Sequence, residues 1–296
     1  MPNTIAHIGL HGITSRALIK NSDFKWIYLA CLIPDIPWIL QRLLITFSGF
    51  NPFDIRIYTM IQASLFLCLT LSALFSFFSS NSKKTFAILV LGSLLHLLLD
   101  AAQYKWANGV HLFAPFSWEL TNYGFFWPND FVTVSLTLFG LGYYIFYWKK
   151  YKLYEFDLFI TKKKIQGIIF FAVLYLTLPL FFMNSPIEAD NHFIKTFLEK
   201  ENRVGKYIEI DRCGYNPVTN TLINFTNEDF IAEGLDLKEY TSLSIKGFFV
   251  DSHTIKILEY HVNNQMLRDF SSILGILLLI LIWIKSFWDK LKRRTT

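Results

Sequence analysis

Residues 85–103 read TFAILVLGSLLHLLLDAAQ, an almost unbroken apolar run with one histidine and one aspartate near its end. A run of about 20 apolar residues has the length that crosses the roughly 30 Å hydrocarbon layer of a bilayer as a helix. Further runs of this character lie at 25–47, 57–79, 129–148, 166–183 and 270–288. A shorter and weaker segment at 4–19 is a candidate for a partly inserted helix. The sequence therefore predicts a mainly α-helical, polytopic membrane bundle with six or seven spans.

The composition argues against several other classes of protein. Of the 296 residues, 53% are hydrophobic and 18% are aromatic, and the mean hydropathy is +0.35. Only 17% are charged, against about 25% in an ordinary soluble domain. These values exclude a soluble globular protein, a disordered chain and a nucleic-acid-binding protein. The three cysteines form neither a disulfide framework nor a metal-ligand spacing.

Short basic clusters predict the orientation of the bundle. They lie at 83–84, 149–164 and 290–294. All three fall on one side if the strong apolar segments alternate, and the positive-inside rule assigns that side to the cytoplasm. The stretches 104–128 and 184–269 are then extracytoplasmic, and Met1 lies outside if segment 4–19 inserts. We predict an integral protein of a bacterial inner (plasma) membrane with a cytoplasmic C-terminus.

The stretch 184–269 differs in composition from the rest of the chain. Residues 188–203 predict a short amphipathic helix, and five short β-type runs separated by turn residues follow it. Such a pattern is typical of a small barrel or sandwich of the size of an OB-fold. Asp211 and Arg212 in the first run could pair, with no function implied. The predicted division is a bundle with a metal site (1–183), an external helix and β-domain (184–269), and a C-terminal transmembrane helix with a basic tail (270–296).

Five titratable side chains fall inside the apolar segments: His7, His11, Asp35, His96 and Asp100. Such groups are costly at membrane depth and usually have a function or a partner. His7 and His11 are four residues apart, as are His96 and Asp100, so each pair projects from one helix face. Counting at 1.5 Å per residue from the nearest basic residues places all five roughly 14–24 Å from the cytoplasmic end. The sequence therefore predicts that they meet in the outer half of the bilayer.

Two prolines predict a break in the helix that carries Asp35. Pro34 and Pro37 flank the aspartate and should break its helix, which frees backbone carbonyls that only a cavity or buried site tolerates. Imidazoles and carboxylates meeting in such a cavity are the ligands that Zn²⁺ and similar divalent ions prefer. Two simpler interpretations stay open here: each histidine hydrogen-bonds to a neighbouring helix, and the Pro-Asp pair only caps a helix after a kink.

Four short stretches of the chain resemble a known family. They are MPNTIAHIGLHG at 1–12, LACLIPDIPW at 29–38, LGSLLHLLLDAAQ at 91–103 and GVHLFAPFSWE at 109–119. In these motifs the chain resembles the membrane-bound metal-dependent hydrolases, whose bacterial members include LexA-regulated inner-membrane proteins. The resemblance covers roughly the first 130 residues. It implies that His7, Asp35, His96 and Asp100 are metal-binding or catalytic positions.

The chain also departs from that family's pattern. A His-Arg-x-x-Thr-His-Ser stretch of the family aligns with IRIYTMI at 55–61, which keeps Arg56 and a threonine but has neither histidine. The second aspartate of the family's Pro-Asp-x-Asp motif is replaced by Pro37. Either His11 and His111 take the place of the missing ligands, or the site is depleted and the protein has another role.

The leading hypothesis is a metal-dependent hydrolase of the cell envelope. One divalent ion, with zinc preferred, would be held by His7, Asp35 and His96, together with Asp100 or His11. Asp100 or Asp35 would act as general base if it is not itself a ligand. Arg56 would bind an anionic headgroup, which favours a lipid or lipid-linked ester or phosphoester as substrate.

Two other classes of function fit the same sequence. The first is a non-catalytic membrane scaffold whose 184–269 domain binds an envelope partner, in keeping with the depleted motif. The second is a transporter that uses a His/Asp relay, although no repeat symmetry is evident in the sequence. Membrane lipids are expected as partners in every case.

Overall fold

The computed structural model describes residues 4–150, 160–189, 192–226 and 228–294. The helices are α1 (Thr4–Leu18), α2 (Phe24–Ala30), α3 (Ile36–Phe47), α4 (Pro52–Gln62), α5 (Leu65–Ser76), α6 (Ser82–Ala101), α7 (Phe131–Lys150), α8 (Lys162–Phe181), α9 (Ser185–Glu188), α10 (Ile194–Leu198) and α11 (Gln265–Arg294). Short 3-10 turns cover Ile33–Asp35 and Lys200–Asn202. The strands are β1 (Tyr207–Asn216), β2 (Thr221–Ile223), β3 (Asp229–Glu233), β4 (Thr241–Phe249) and β5 (Thr254–Asn263).

Several helices are long and apolar enough to cross a membrane. Within the described residues five candidates pass this test: Phe24–Phe47 (α2 and α3 with the turn between them), Ser82–Ala101, Phe131–Trp148, Lys162–Phe181 and Asp269–Trp288. Helices α4 and α5 count as a sixth if they form one broken span. The predicted six or seven crossings thus depend on how this pair and the shorter α1 are counted.

The apolar segment predicted at 57–79 is not one straight helix. Helices α4 and α5 are bent by 71° at a break after Gln62. Ser64 causes the break because it caps the new helix, its hydroxyl accepting from the Leu67 N–H at 3.5 Å. The Leu65 N–H donates to the His111 carbonyl at 3.3 Å, which ties the break to the loop after α6.

Helix α1 lies inside the bundle, against α2, α6, α7 and α11. Glycines allow this close approach, as in other tightly packed helix pairs. A methyl group built on Gly140 of α7 would come within 1.9 Å of the Ile5 carbonyl oxygen, and one on Gly9 of α1 within 2.6 Å of the Phe139 ring. The weak segment 4–19 is thus a buried helix whose position α7 fixes.

The five strands form a closed barrel in the order β1-β2-β3-β5-β4. Strands β3 and β5 pair in parallel, and the other neighbours are antiparallel. This is a five-stranded Greek-key barrel of the OB type, so the prediction of a small β-domain is confirmed. Phe230, Leu243 and Ile245 are fully buried inside it.

The single helix predicted at 188–203 is wrong in extent. Helix α10 covers only Ile194–Leu198, and residues 190–191 lie outside the described part of the chain. The buried guanidinium of Arg203 ends the helical segment because it donates to the Phe197 carbonyl at 2.6 Å and to the Glu228 carboxylate at 2.8 Å. After Leu198 the chain is therefore held by the contacts of Arg203 and does not continue as a helix.

The barrel sits on the loop that follows α6. The Ala107 N–H donates to Glu209 of β1 at 2.7 Å, and the Trp127 ring stacks on His261 of β5 at 3.7 Å between centroids. At the other end of α6, Lys84 donates to the Asn21 carbonyl at 2.7 Å. The stretches predicted to be extracytoplasmic therefore meet at one end of the bundle. Which end faces the cytoplasm stays a prediction, and residues 151–159 of one basic cluster lie outside the described chain.

Replacing Gly140 by alanine should loosen α1 from the bundle. The new methyl group would clash with the Ile5 backbone, and overpacking of this kind costs about 1–3 kcal/mol. Gly142→Ala on the same helix is the matched control because nothing lies within 4 Å of its added methyl group. We expect a lower thermal unfolding midpoint in detergent for Gly140→Ala and an unchanged or higher one for Gly142→Ala. Equal midpoints for the two variants would contradict the close packing of α1 on α7.

Candidate metal centre

Three buried side chains from two helices converge beside the barrel. His7 comes from α1, and His96 and Asp100 lie one turn apart on α6. Each offers a metal-ligating atom, and these atoms all lie within 4.8 Å of one another. His7 and His96 are fully buried, and Asp100 is 4% exposed. The prediction that these three residues meet is confirmed.

The individual separations are close to those of a metal site. His7 Nε2 lies 3.8 Å from Asp100 Oδ1, and His96 Nε2 lies 3.8 Å from Asp100 Oδ2 and 3.4 Å from Asp35 Oδ1. The rings of His7 and His96 stack almost in parallel, 3.8 Å apart. Ligand atoms about 2.1 Å from a tetrahedral Zn²⁺ lie about 3.4 Å from one another. The separations are therefore close to those of a zinc site, and the two parallel rings would have to rotate for both Nε2 lone pairs to point at one ion.

One polar atom from each of the three residues, and one from the neighbouring Asp35, makes no hydrogen bond within the described chain. They are His7 Nε2, His96 Nε2, Asp35 Oδ1 and Asp100 Oδ1. Buried polar atoms are nearly always paired, and leaving one unpaired costs about 1–3 kcal/mol. A cation that is coordinated by the lone pairs of these atoms would remove that cost. The residues present therefore fit a divalent metal ion.

The helix break at Asp35 orients His96. In the 3-10 turn the Asp35 N–H donates to the Leu32 carbonyl at 2.9 Å, one residue nearer than in an α-helix, and so releases the Cys31 carbonyl. His96 Nδ1 lies 2.8 Å from that carbonyl oxygen. Because a carbonyl can only accept, Nδ1 carries the proton and the Nε2 lone pair faces the carboxylates. The break predicted from the two prolines is thus what holds this imidazole in a metal-binding orientation.

The other predicted ligands lie outside the group of three. His11 points towards Cys31, with Nδ1 3.0 Å from its Sγ, and its ring is 5.5 Å from that of His7. His111 packs against Trp118 in the loop after α6. Burial lowers the pKa of His111 to about 4 despite nearby backbone hydrogen bonds. Asp35 contacts His96 alone of the three, so it flanks the group.

A cavity of about 260 Å³ adjoins the group, between the bundle and the barrel. Asp100 belongs both to the group and to the cavity wall. The other charged side chains that line the cavity are Arg42, Arg56, Lys105, Asp211 and Arg212. The buried ammonium of Lys105 lies 3.0 Å from Asp100 Oδ2, so it holds that carboxylate from the cavity side.

Sequence reasoning missed Lys105 and gave no function to Asp211 and Arg212. A bulge in β1 between Ile210 and Cys213 places both residues opposite Ser244 and in the cavity wall. The sequence carried a signal for it, because the apolar residues of β1 alternate up to Ile210 and resume three residues later at Cys213. Lys105 has no comparable signal in the sequence.

Substituting the two histidines of α1 one at a time should show which of them binds the metal. We expect His7→Gln to weaken Zn²⁺ binding by at least about 10–100-fold, because it removes one of the three close ligand atoms. His11→Gln is the matched control on the same helix with the same burial, and it should keep stoichiometric zinc. The measurement is metal content after zinc loading and gel filtration. Loss of zinc in both variants, or in neither, would contradict this assignment.

Lowering the pH should weaken the contact between barrel and bundle, because it protonates the Asp211 carboxylate. Burial alone would raise the pKa of this carboxyl, but Arg212 and hydrogen bonds from Asn108 and Ser244 outweigh burial and lower it. A lowered pKa means that the carboxylate stabilises the fold above the unfolded pKa, near 4, and that this contribution is lost as the pH falls through the folded value.

Comparing Asp211→Asn with the wild type at several pH values tests this prediction. Hydrogen bonds to charged groups are worth about 1.5–3 kcal/mol, so the wild type should unfold at a higher temperature at pH 7. The difference should shrink towards pH 3. Asp229→Asn, at an exposed position of the same barrel, should differ little from the wild type throughout. A difference for Asp211→Asn that does not change with pH would contradict the ionic origin.

No protein-family model, no curated protein and no solved structure matches this chain. The resemblance of its opening segments to the membrane-bound metal-dependent hydrolases therefore stays a prediction that rests on short motifs. The function has to be inferred from the buried group and the cavity beside it.

Proposed function

We propose that this protein is a metal-dependent hydrolase of the cell envelope that cleaves an ester or phosphoester at a membrane boundary. One observation carries the proposal: buried ligand atoms of His7, His96 and Asp100 lie within 4.8 Å of one another beside a cavity of about 260 Å³. The neighbouring helices are long and apolar enough to cross a membrane. A lipid or lipid-linked substrate suits that setting.

The metal would be held by His7, His96 and Asp100, and zinc suits two imidazoles with one carboxylate. When bound, such an ion supplies Lewis acidity, which makes water more acidic and polarises an ester oxygen. Lys105 and the Cys31 carbonyl keep Asp100 and His96 oriented, which is the usual task of groups behind metal ligands.

Asp35 is the general base in this proposal. Its Oδ1 atom lies 3.4 Å from His96 Nε2, has no hydrogen bond and lies outside the group of three ligands. In hydrolysis the water oxygen joins the acyl or phosphoryl centre as the bond to the leaving alcohol breaks. Asp35 accepts the water proton and returns it to the leaving oxygen, so that charge and atoms balance.

The proposed location is a bacterial inner membrane, with the barrel outside and the C-terminus in the cytoplasm. The basic end of α6 is opposite the end that carries Asp100 and the barrel. The positive-inside rule supports placing the basic end in the cytoplasm. A substrate would then reach the site from the external face.

Asp35→Asn should lower turnover by about 10²–10⁴-fold, the usual contribution of a general base, while keeping bound zinc. The measurement is hydrolysis of p-nitrophenyl butyrate and p-nitrophenyl phosphate by purified, zinc-loaded protein in detergent. Asp54→Asn is the control because Asp54 is exposed and is not among the residues that line the cavity. Loss of zinc in Asp35→Asn would indicate that Asp35 is a metal ligand and would contradict its role as general base. A wild type that binds no zinc and cleaves neither ester would instead support the scaffold or transporter interpretation.

A further inference from the structure

The cavity between bundle and barrel carries more positive charge than its own carboxylates can neutralise. Four cationic side chains line it against the carboxylates of Asp100 and Asp211. We infer that it binds a phosphate group of the substrate, held between Arg56 of α4 and Arg212 of the barrel. This inference deepens the proposed function and rests on it: the substrate class becomes phosphoesters.

The guanidinium of Arg56 is held in place by aromatic rings instead of carboxylates. It lies 4.8 Å from the Phe225 ring, 5.0 Å from the Phe193 ring and 5.7 Å from the Trp38 ring. Its buried Nε has no hydrogen-bond partner within the described residues, and Asp211 of the barrel interacts with it only through longer-range electrostatics. An arginine fixed by stacking keeps its planar fork of donors available for an anion.

Arg212 reaches the cavity through a strained piece of backbone. It occupies the β1 bulge with a φ of 59°, a left-handed conformation that is unfavourable for a residue with a side chain. Strain of this kind persists where the surroundings hold it, and it clusters at functional sites. Without the bulge, strand alternation would send Asp211 and Arg212 to opposite faces. With it, both line the cavity.

Both cavity carboxylates already have other partners, so they offset the charge of the two arginines only in part. Asp100 Oδ2 pairs with Lys105 at 3.0 Å. Asp211 accepts from Ser244 at 2.9 Å and from Asn108 at 3.2 Å, and its oxygen lies 3.9 Å from Arg212 Nε, beyond hydrogen-bond distance. Four cationic side chains face two carboxylates in the cavity wall, so positive charge remains for a further anion.

Phosphate is the anion that suits this arrangement. Arginine forks bind phosphate oxygens in pairs, and a phosphoester carries one or two negative charges where a carboxylic ester carries none. A cavity of about 260 Å³ is at or below the small end of ligand pockets. It has room for a phosphate headgroup. The phosphate would lie beside Asp100, next to the proposed metal ligands.

Binding of inorganic phosphate, measured by calorimetry on the full-length protein in detergent, tests the inference without relying on turnover. We expect Arg56→Gln and Arg212→Gln each to weaken binding by about 10–100-fold, the effect of losing charged hydrogen bonds. Lys256→Gln is the matched control, since it removes one positive charge from an exposed position of the barrel. The titrations are run with Zn²⁺ and after chelation, so that phosphate bound by the metal alone is recognised.

Glycerol 3-phosphate and bicelles containing phosphatidic acid distinguish a soluble from a lipid source of the phosphate. Competition by either supports the site and identifies the source. Unchanged phosphate binding in both arginine variants, or binding that disappears on chelation and ignores the arginines, would overturn it. If Arg56→Gln fails to fold, Arg56→Lys keeps the charge without the fork and should still weaken binding. Arginine-dependent phosphate binding in a protein that cleaves no ester would refute the hydrolase and leave this site standing.

Discussion

Ionisable groups buried in an apolar interior are the constraint on which this structure depends. His7, His96 and Asp100 are almost completely removed from solvent in the interior of the helix bundle. An unpaired charge in such surroundings costs several kcal/mol, so these side chains are stable only where they meet each other or a cation. The close approach of α1 to α7, the break at Asp35 and the ammonium of Lys105 all bring or hold the group together.

The barrel is part of the same site. It contributes Asp211 and Arg212 to the cavity wall. Phe225 of the barrel and Phe193, just before α10, lie among the rings around Arg56. The loop after α6 connects the two parts, because it carries both Lys105 and the hydrogen bonds to β1. A domain that only recognised an envelope partner would not need to place charged side chains beside a buried group of the bundle. The geometry therefore favours a barrel that covers the cavity and completes it.

Local features of this fold could be predicted from the sequence, and long-range contacts could not. Apolar length gave most of the long helices, alternation gave the five strands, and the prolines gave the break before α3. The spacing of His96 and Asp100 placed both on one face of α6. Each of these depends on neighbours within about one helical turn or one strand.

The choice between His7 and His11 depends on contacts that no local pattern contains. The two residues share a helix face, and which one meets Asp100 is set by how far α1 slides along its neighbours. The contact of Gly140 with the Ile5 carbonyl fixes that position between segments far apart in the chain. The partners of Lys105 and Arg56 were hidden for the same reason, since both are defined by elements that only the folded chain brings together.

Asp100 shows how the buried group and the charged cavity are joined. One of its oxygens faces His7 without a hydrogen bond, and the other accepts from Lys105 in the cavity wall. A carboxylate shared in this way has one oxygen free for a cation and the other neutralised, so it can act as a ligand without repelling an anion in the cavity. That division lets a site made of carboxylates and imidazoles lie directly beside one made of arginines. A metal ion and a phosphate group could then be bound side by side, which is the arrangement that phosphoester hydrolysis needs.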